Sequence, residues 1–242
     1  MLNDSSSSAC PVLIALATFN ERDNLPSLVD AIFKVLPDVH VVVVDDGSPD
    51  GTGKWCDERS ASEPRLTCHH RPGKSGLGSA TIIAMREAIA LGFHIIITMD
   101  ADWSHDPKDI PCLVSQLEDV DVAIGSRYCP GGSIKGWPRH RRIISQLVNM
   151  ASRRLLRLTV RDSSGAFRAY RVTALEQISL DDIRATGYAY LEEILWRLQR
   201  AGARFTEVPI TFRDRERGQS KADWYEAISK IATISRLAMT RS

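Results

Sequence analysis

Two aspartates one residue apart, Asp100 and Asp102, follow the apolar run Phe93–Met99. In an extended backbone, residues i and i+2 point the same way, so both carboxylates are expected on one side of a strand end. Carboxylates that close repel each other unless a hard divalent cation compensates them. Mg2+ or Mn2+ held by such a pair keeps coordination positions open for water and for substrate phosphate oxygens. The chemistry offered by this spacing is metal-assisted handling of a phosphorylated ligand. A second acidic pair, Asp45-Asp46, closes another apolar run, Val39–Val44, which argues against a chance doublet. Gly73-Lys74-Ser75 suggests a different phosphate site, the P-loop, but does not complete it. That motif needs a glycine where Cys68 stands and a helix starting at the Lys-Ser, which Pro72, Gly76 and Gly78 interrupt.

These groups need a scaffold, and the first half of the chain supplies an alternating one. Strand-like runs are expected at Val12–Thr18, Val39–Val44, Arg65–His70, Phe93–Met99 and Val120–Gly125. Between them lie a helical stretch to Leu36 and helices over Thr52–Ser62, Gly78–Leu91 and Pro107–Leu117. This alternation is the pattern of a parallel α/β sheet. Polar clusters follow the strand ends at Thr18–Glu21, Asp45–Ser48, Asp100–Ser104 and Ser126–Tyr128. In open α/β sheets the ligand sits beyond the carboxyl ends of the strands, so these clusters locate a site. After Gly131-Gly132 the chain predicts a long helix Arg139–Arg157, a helix Tyr190–Arg200 and a strand Arg204–Phe212. A charged loop to Lys221 and a last amphipathic helix to about Met239 complete it.

Composition narrows the function classes. Of 242 residues, 43% are hydrophobic and 25% charged, as in ordinary globular proteins. No apolar run approaches the roughly 18–20 residues of a membrane span. Met1–Ser8 has neither a basic nor an apolar region, so no signal peptide is expected. The five cysteines (Cys10, Cys56, Cys68, Cys112, Cys129) are scattered and never form a C-x-x-C pair. That argues against a disulfide framework or structural zinc and for a reducing compartment. The net charge of +1 hides an asymmetry: residues 1–134 carry 10 Lys/Arg against 19 Asp/Glu, and residues 135–242 carry 21 against 11. Residues 135–171 concentrate ten Lys/Arg against the single acid Asp162. Such a stretch suits phosphate capture or an anionic leaflet, or is simply a solvated helix face. No recognition helix or base-stacking pattern accompanies it, so a nucleic-acid partner is not expected.

In order along the chain stand Thr18-Phe19-Asn20-Glu21, Asp45-Asp46-Gly47-Ser48-Pro49-Asp50-Gly51-Thr52, Lys74-x-Gly76-Leu77-Gly78 and Met99-Asp100-Ala101-Asp102. Gly125-Ser126-Arg127-Tyr128, Gly131-Gly132 and Trp137 follow. This ordered set resembles the family 2 glycosyltransferases of the GT-A fold, and among them the dolichol-phosphate (polyprenol-phosphate) mannose synthases. The resemblance spans about residues 11–221. It implies a Rossmann-like nucleotide-sugar-binding α/β fold with a mainly parallel central sheet flanked by helices, in one domain. Within that domain, residues 11–128 would form the nucleotide and metal half and 129–221 the acceptor half. Residues 1–10 would be flexible and 222–242 a C-terminal amphipathic helix.

Carried over by position, the resemblance places the nucleotide against Ala17, Phe19, Glu21, Val44 and Asp46. Mg2+ or Mn2+ and the donor diphosphate fall on Asp100, Ala101 and Asp102, with Arg127, Arg215 and Lys221 towards the phosphates. The acceptor phosphate falls on Arg127, Arg141 and Ser145. Asp102, Arg127 and Arg215 are the residues expected to carry catalysis. The implied reaction is inverting transfer of mannose from GDP-mannose to a polyprenyl monophosphate, performed peripherally at the cytoplasmic face of an anionic membrane surface. UDP-glucose as donor, transfer to a hydroxyl, and a noncatalytic nucleotide-sugar-binding subunit stay open as alternatives. The chain departs from the family pattern at Ala17 and Phe19, which stand for Pro and Tyr. It departs again at Ser104, where some members carry Gln, and at Ala166, which lacks a hydroxyl.

Overall fold

The computed structural model describes residues 11–185, 187–214 and 233–239. Strands β1 (Val12–Thr18), β2 (His40–Asp45), β3 (Leu66–His70), β4 (Ile95–Asp100) and β5 (Val122–Ser126) alternate with helices α1 (Leu25–Val35), α2 (Thr52–Ser60), α3 (Leu77–Ala90) and α4 (Ile110–Gln116). Then follow β6 (Ser133–Lys135), α5 (Arg139–Leu156), β7 (Arg168–Arg171), α6 (Val172–Leu175), α7 (Tyr190–Arg200), β8 (Phe205–Pro209) and β9 (Thr211–Arg213). The described strands form a seven-stranded sheet in the order β3-β2-β1-β4-β7-β5-β8 and a two-stranded sheet β6-β9.

The central strands read as continuous apolar runs because helices cover both faces. Ile14, Leu16, Val41, Val42, Val43, Ile96 and Ile97 are all 0% exposed. Alternate residues divide between two cores. Leu13, Ala15, Val42 and Ile96 pack with Ala84 and Met85 of α3 and with Leu191 and Leu195 of α7. Ile14, Leu16, Val43 and Ile97 pack with Leu28 and Ile32 of α1 and with Leu113 of α4.

Two features differ from the sequence reading. β7 is a strand that the alternation did not reveal, and it runs antiparallel to both β4 and β5. Its Arg168 is 0% exposed, a place where a charge needs partners for its donors; its Nε finds none, and the two Nη groups carry the pairing. They go to the Leu191 carbonyl at 2.9 Å and the Ser163 carbonyl at 2.6 Å. The single strand expected over Arg204–Phe212 is two strands. β8 pairs with β5 as far as Pro209, then the chain crosses to the small sheet at Ile210. Ile210 fixes the crossing: its N–H donates to Ser126 at 3.1 Å and its carbonyl accepts from Ser133 at 2.9 Å. The turn into β6 requires glycine at 132, where a Cβ would lie 2.5 Å from the Ser126 carbonyl oxygen.

Of the expected C-terminal helix, residues 233–239 are described and helical. Ile234 and Leu237 are buried in the α7 core layer, and Arg236 pairs with Glu193 at 3.7 Å. Residues 1–10 and the rest of 222–242 lie outside the described residues. No described helix is long and apolar enough to cross a membrane. Cys56, Cys68, Cys112 and Cys129 are free thiols.

Candidate functional site

Ala17 of β1 sits between Val44 of β2 and Asp100 of β4 in one register row. Three expected ligand-binding residues thus share one line near the carboxyl edge of the sheet. The loops beyond that edge are tied together. The Thr18 hydroxyl donates to Asp45 Oδ1 at 2.9 Å, and the Ser48 N–H and hydroxyl donate to the same carboxylate at 3.0 and 2.5 Å. Asn20 N–H donates to Ser48 Oγ at 2.9 Å and Glu21 N–H to Thr52 Oγ1 at 3.0 Å. Asn20 has φ 62°, a left-handed conformation that Asn tolerates better than most residues. Asp45, the first of its pair, therefore organises the loops. Asp46, 5% exposed, accepts from Ser75 N–H and Gly76 N–H, both at 3.2 Å, and pairs with Arg71. The Lys74 ammonium stands 5.1 Å from the centre of the Phe19 ring.

β4 ends at Asp100, so the pleat places only that residue; Ala101–His105 form bends, with Trp103 at φ 63°. Asp102 is 5% exposed, and its Oδ1 accepts from the Ser104 N–H at 3.0 Å and from the Ser104 hydroxyl. Ser104 thus caps the second aspartate. His105 closes the turn. Its Nδ1 accepts from the Asp100 N–H at 3.1 Å, which leaves its proton on Nε2. Its ring stacks on Phe167 at 5.0 Å and meets the edge of Phe212 at 5.5 Å. Burial pushes its pKa down to about 4, against the opposing pull of the Asp102 carboxylate. Among the described residues no three His, Cys, Asp or Glu side chains are grouped to hold a metal. Two hard carboxylates fit a cation that keeps waters and substrate oxygens, as Mg2+ and Mn2+ do, rather than one enclosed by protein.

Arg127 follows β5 and has a partner the sequence reading did not name. Its Nε and Nη2 donate to Asp162 at 2.8 and 2.7 Å, its backbone N–H to the same carboxylate at 2.9 Å, and Nη2 also to Ser164 Oγ at 2.7 Å. Burial opposes both charges, yet each partner outweighs it: the pKa of Arg127 rises and that of Asp162 falls. Arg127 is therefore held at the floor of the site, its guanidinium 5.5 Å from the Trp137 ring. Arg141 stacks on Trp137 at 4.1 Å and donates to Asp214 at 3.2 Å. Ser145 accepts from the Tyr128 hydroxyl at 2.7 Å. One turn on, Asn149 binds the segment that carries Asp162: its Oδ1 accepts from the Ser163 N–H at 2.7 Å and its Nδ2 donates to Ser164 Oγ at 2.9 Å. Arg215 and Lys221 lie outside the described residues. His105, Asn149 and Arg71 carried no signal in the sequence beyond their residue type, because their partners are set by the fold.

A family model described as Glycosyl transferase family 2 matches residues 13–179. A polyprenol monophosphomannose synthase of Mycolicibacterium smegmatis is 40% identical over 225 residues, covering 91% of this chain and 85% of that protein. An undecaprenyl-phosphate mannosyltransferase of Micrococcus luteus is 41% identical over 210 residues, covering 87% and 86%. Among solved structures, glucosyl-3-phosphoglycerate synthase of Mycobacterium tuberculosis, in complex with Mn2+, UDP and glucosyl-3-phosphoglycerate, superposes with a TM-score of 0.68. It has 20% identity and covers 96% of this chain and 81% of its own. A mannosyltransferase of Pyrobaculum calidifontis, in complex with GDP-Man and Mn2+, gives a TM-score of 0.64 at 18% identity, covering 97% and 66%.

Proposed function

The chain belongs to glycosyl transferase family 2, and from that premise we propose that it transfers mannose from GDP-mannose to a polyprenyl monophosphate, inverting the anomeric centre. The two relatives at 40% and 41% identity support both the sugar and the acceptor class. The observation that carries the reading is that Asp46 and Asp100 stand at the carboxyl ends of β2 and β4, with Asp102 in the loop that follows and Arg127 between Asp100 and the Trp137–Arg141 stack.

In this reading Ala17, Phe19, Glu21, Val44 and Asp46 receive the nucleotide, the Phe19 ring stacking on the base. Asp100 and Asp102, with Ala101 between them, hold Mg2+ or Mn2+ together with the donor diphosphate. The bound cation supplies charge neutralisation of the departing diphosphate. Arg215 and Lys221 assist at the phosphates. Arg141 and Ser145 take the acceptor phosphate, and Arg127, locked to Asp162, contributes a fixed positive charge beneath it. A phosphate acceptor is already an anionic nucleophile near neutral pH, so alignment matters more than a strong general base. The protein works peripherally at the cytoplasmic face of a membrane, where such an acceptor presents its head group.

The test offers radiolabelled GDP-mannose and UDP-glucose separately with polyprenyl phosphate and either Mg2+ or Mn2+. Label should pass into the lipid from GDP-mannose alone, and EDTA should stop it. Lipid labelled only from UDP-glucose would overturn the donor assignment.

A further inference from the structure

Helix α2 meets strand β3 through two short faces. Gly53, Cys56 and Asp57 recur three and four residues apart, on one side of α2. Leu66, Cys68 and His70 alternate onto one side of β3. The faces touch. His70 Nε2 bonds Asp57 Oδ1 at 2.8 Å, and a Cβ on Gly53 would stand 3.1 Å from the same imidazole ring. Leu66 and Cys56 share one core layer, Cys68 packs against it, and the Cys56 and Cys68 thiols are hydrogen-bonded to each other. Cys56 is 0% exposed, whereas Cys68 is half-buried. Sugar transfer as proposed above uses neither thiol.

We propose that Cys68 and Cys56 are a redox switch: hydrogen peroxide oxidises Cys68, Cys56 closes a reversible disulfide between β3 and α2, and nucleotide binding weakens. The Cys68 thiolate attacks one peroxide oxygen and the O–O bond breaks. The other oxygen departs as hydroxide and is protonated to water, leaving a sulfenic acid on Cys68. Cys56 then gives up its proton, its sulfur bonds to that of Cys68, and the S–O bond breaks to release a second water. The two thiols lose two electrons, and one peroxide becomes two waters.

Cys68 is the sulfur suited to attack. The hydrogen bond from Cys56 holds its pKa below the ordinary thiol value, and the His70 charge acts in the same direction. Burial and the Asp45 and Asp57 carboxylates oppose them. The hydrogen bond to Asp57 in turn raises the pKa of His70. Cys56 donates the bond and is buried, so its own pKa rises and it waits as a thiol.

The switch reaches the candidate site through α2. A disulfide draws the sulfurs to about 2.05 Å, closer than thiols in contact, so α2 must shift on β3. A Cβ on Gly53 would lie 3.2 Å from Asp45 Oδ2, and the same carboxylate holds Thr18 and Ser48. Thr52, the first residue of α2, accepts from the Glu21 N–H at 3.0 Å. Closing the disulfide therefore displaces the loops assigned to the nucleotide, an effect that rests on the proposed function.

The full chain, reduced and then freed of reductant, is treated with hydrogen peroxide and digested without reduction. Mass spectrometry should find Cys56 and Cys68 peptides cross-linked and lighter by two hydrogens, and dithiothreitol should reverse the link. In Cys56→Ala, dimedone should trap a sulfenic acid on Cys68 before it labels the exposed Cys112. His70→Asn, at a side chain 47% exposed, should slow that labelling. Calorimetry should show GDP affinity falling at least about fivefold on oxidation and returning with dithiothreitol, with no response to peroxide in Cys68→Ser. An oxidised wild type without the cross-link, or labelling of Cys112 ahead of Cys68, overturns the proposal. So does a cross-link that leaves GDP affinity unchanged. Reduced protein that binds no GDP would defeat the functional reading, whereas the cross-link judges the thiol pair.

Discussion

Arg127 and Asp162 face each other with side-chain exposures of 6% and 0%, so each charge depends on the other. Removing one partner of a buried pair leaves an uncompensated charge, at a cost of about 3–5 kcal/mol. Asp162→Asn should lower stability by about that much in urea unfolding. Removing both charges, as in Arg127→Met/Asp162→Leu, should cost less than the single substitution. Equal losses would mean that the pair is not energetically coupled. Asp102 permits a cleaner separation of fold from chemistry. An asparagine keeps the Oδ1 that accepts from Ser104 and exchanges the charged Oδ2 for a neutral amide of the same shape. Asp102→Asn should therefore cut turnover by about a hundred- to a thousandfold with an unchanged melting temperature. Near-normal turnover would remove Asp102 from the metal site.

Among the elements, the loop from β4 to α4 titrates in an unusual direction. The unfolded chain protonates His105 near pH 6.5, whereas the folded chain resists until about pH 4. Over that window the unfolded state binds more protons. The stability supplied by neutral His105 is complete above about pH 6.5 and lost as pH falls towards 4, by roughly 3 kcal/mol. Urea midpoints measured with EDTA should drop between pH 7.5 and 4.5, and less steeply in His105→Gln. Parallel pH slopes would count against this origin. On α5, Arg141→Ala should raise the KM for polyprenyl phosphate about tenfold and leave that for GDP-mannose nearly unchanged. Equal effects would put Arg141 on the donor side. These elements differ in how openly the sequence declared them. Periodicity and strand-end aspartates gave β1, β2, β4 and α7 to within two residues, because local pattern and burial agree there. β7 leaves no such pattern because Arg168–Arg171 reads as charged surface, although Arg168 is fully buried and donates to the Leu191 and Ser163 carbonyls. The pairing of Arg127 with Asp162 and the stacking of His105 on Phe167 were invisible for the same reason. Such contacts span tens of residues and leave no periodic trace.

Across the whole molecule, the antiparallel position of β7 orders events in time. β1 to β4 pair only with one another along the β3-β2-β1-β4 side, and all four have been synthesised by residue 100. β5 joins that unit only through β7, whose residues follow it by some forty positions, and β8 comes later still. On the ribosome the first unit can fold while β4 and β5 each wait with an unpaired edge. Unpaired strand edges recruit other chains, and domains assembled late carry that hazard longest. A chain released after residue 160 should therefore aggregate, whereas one released after residue 214 should stay largely soluble. Pelleting of ribosome-free truncation products measures the difference, and equal solubility would show that β7 is not the closing strand. Translation pauses between codons 126 and 168 would then be deleterious in proportion to their length, a cost set by topology rather than by any single residue.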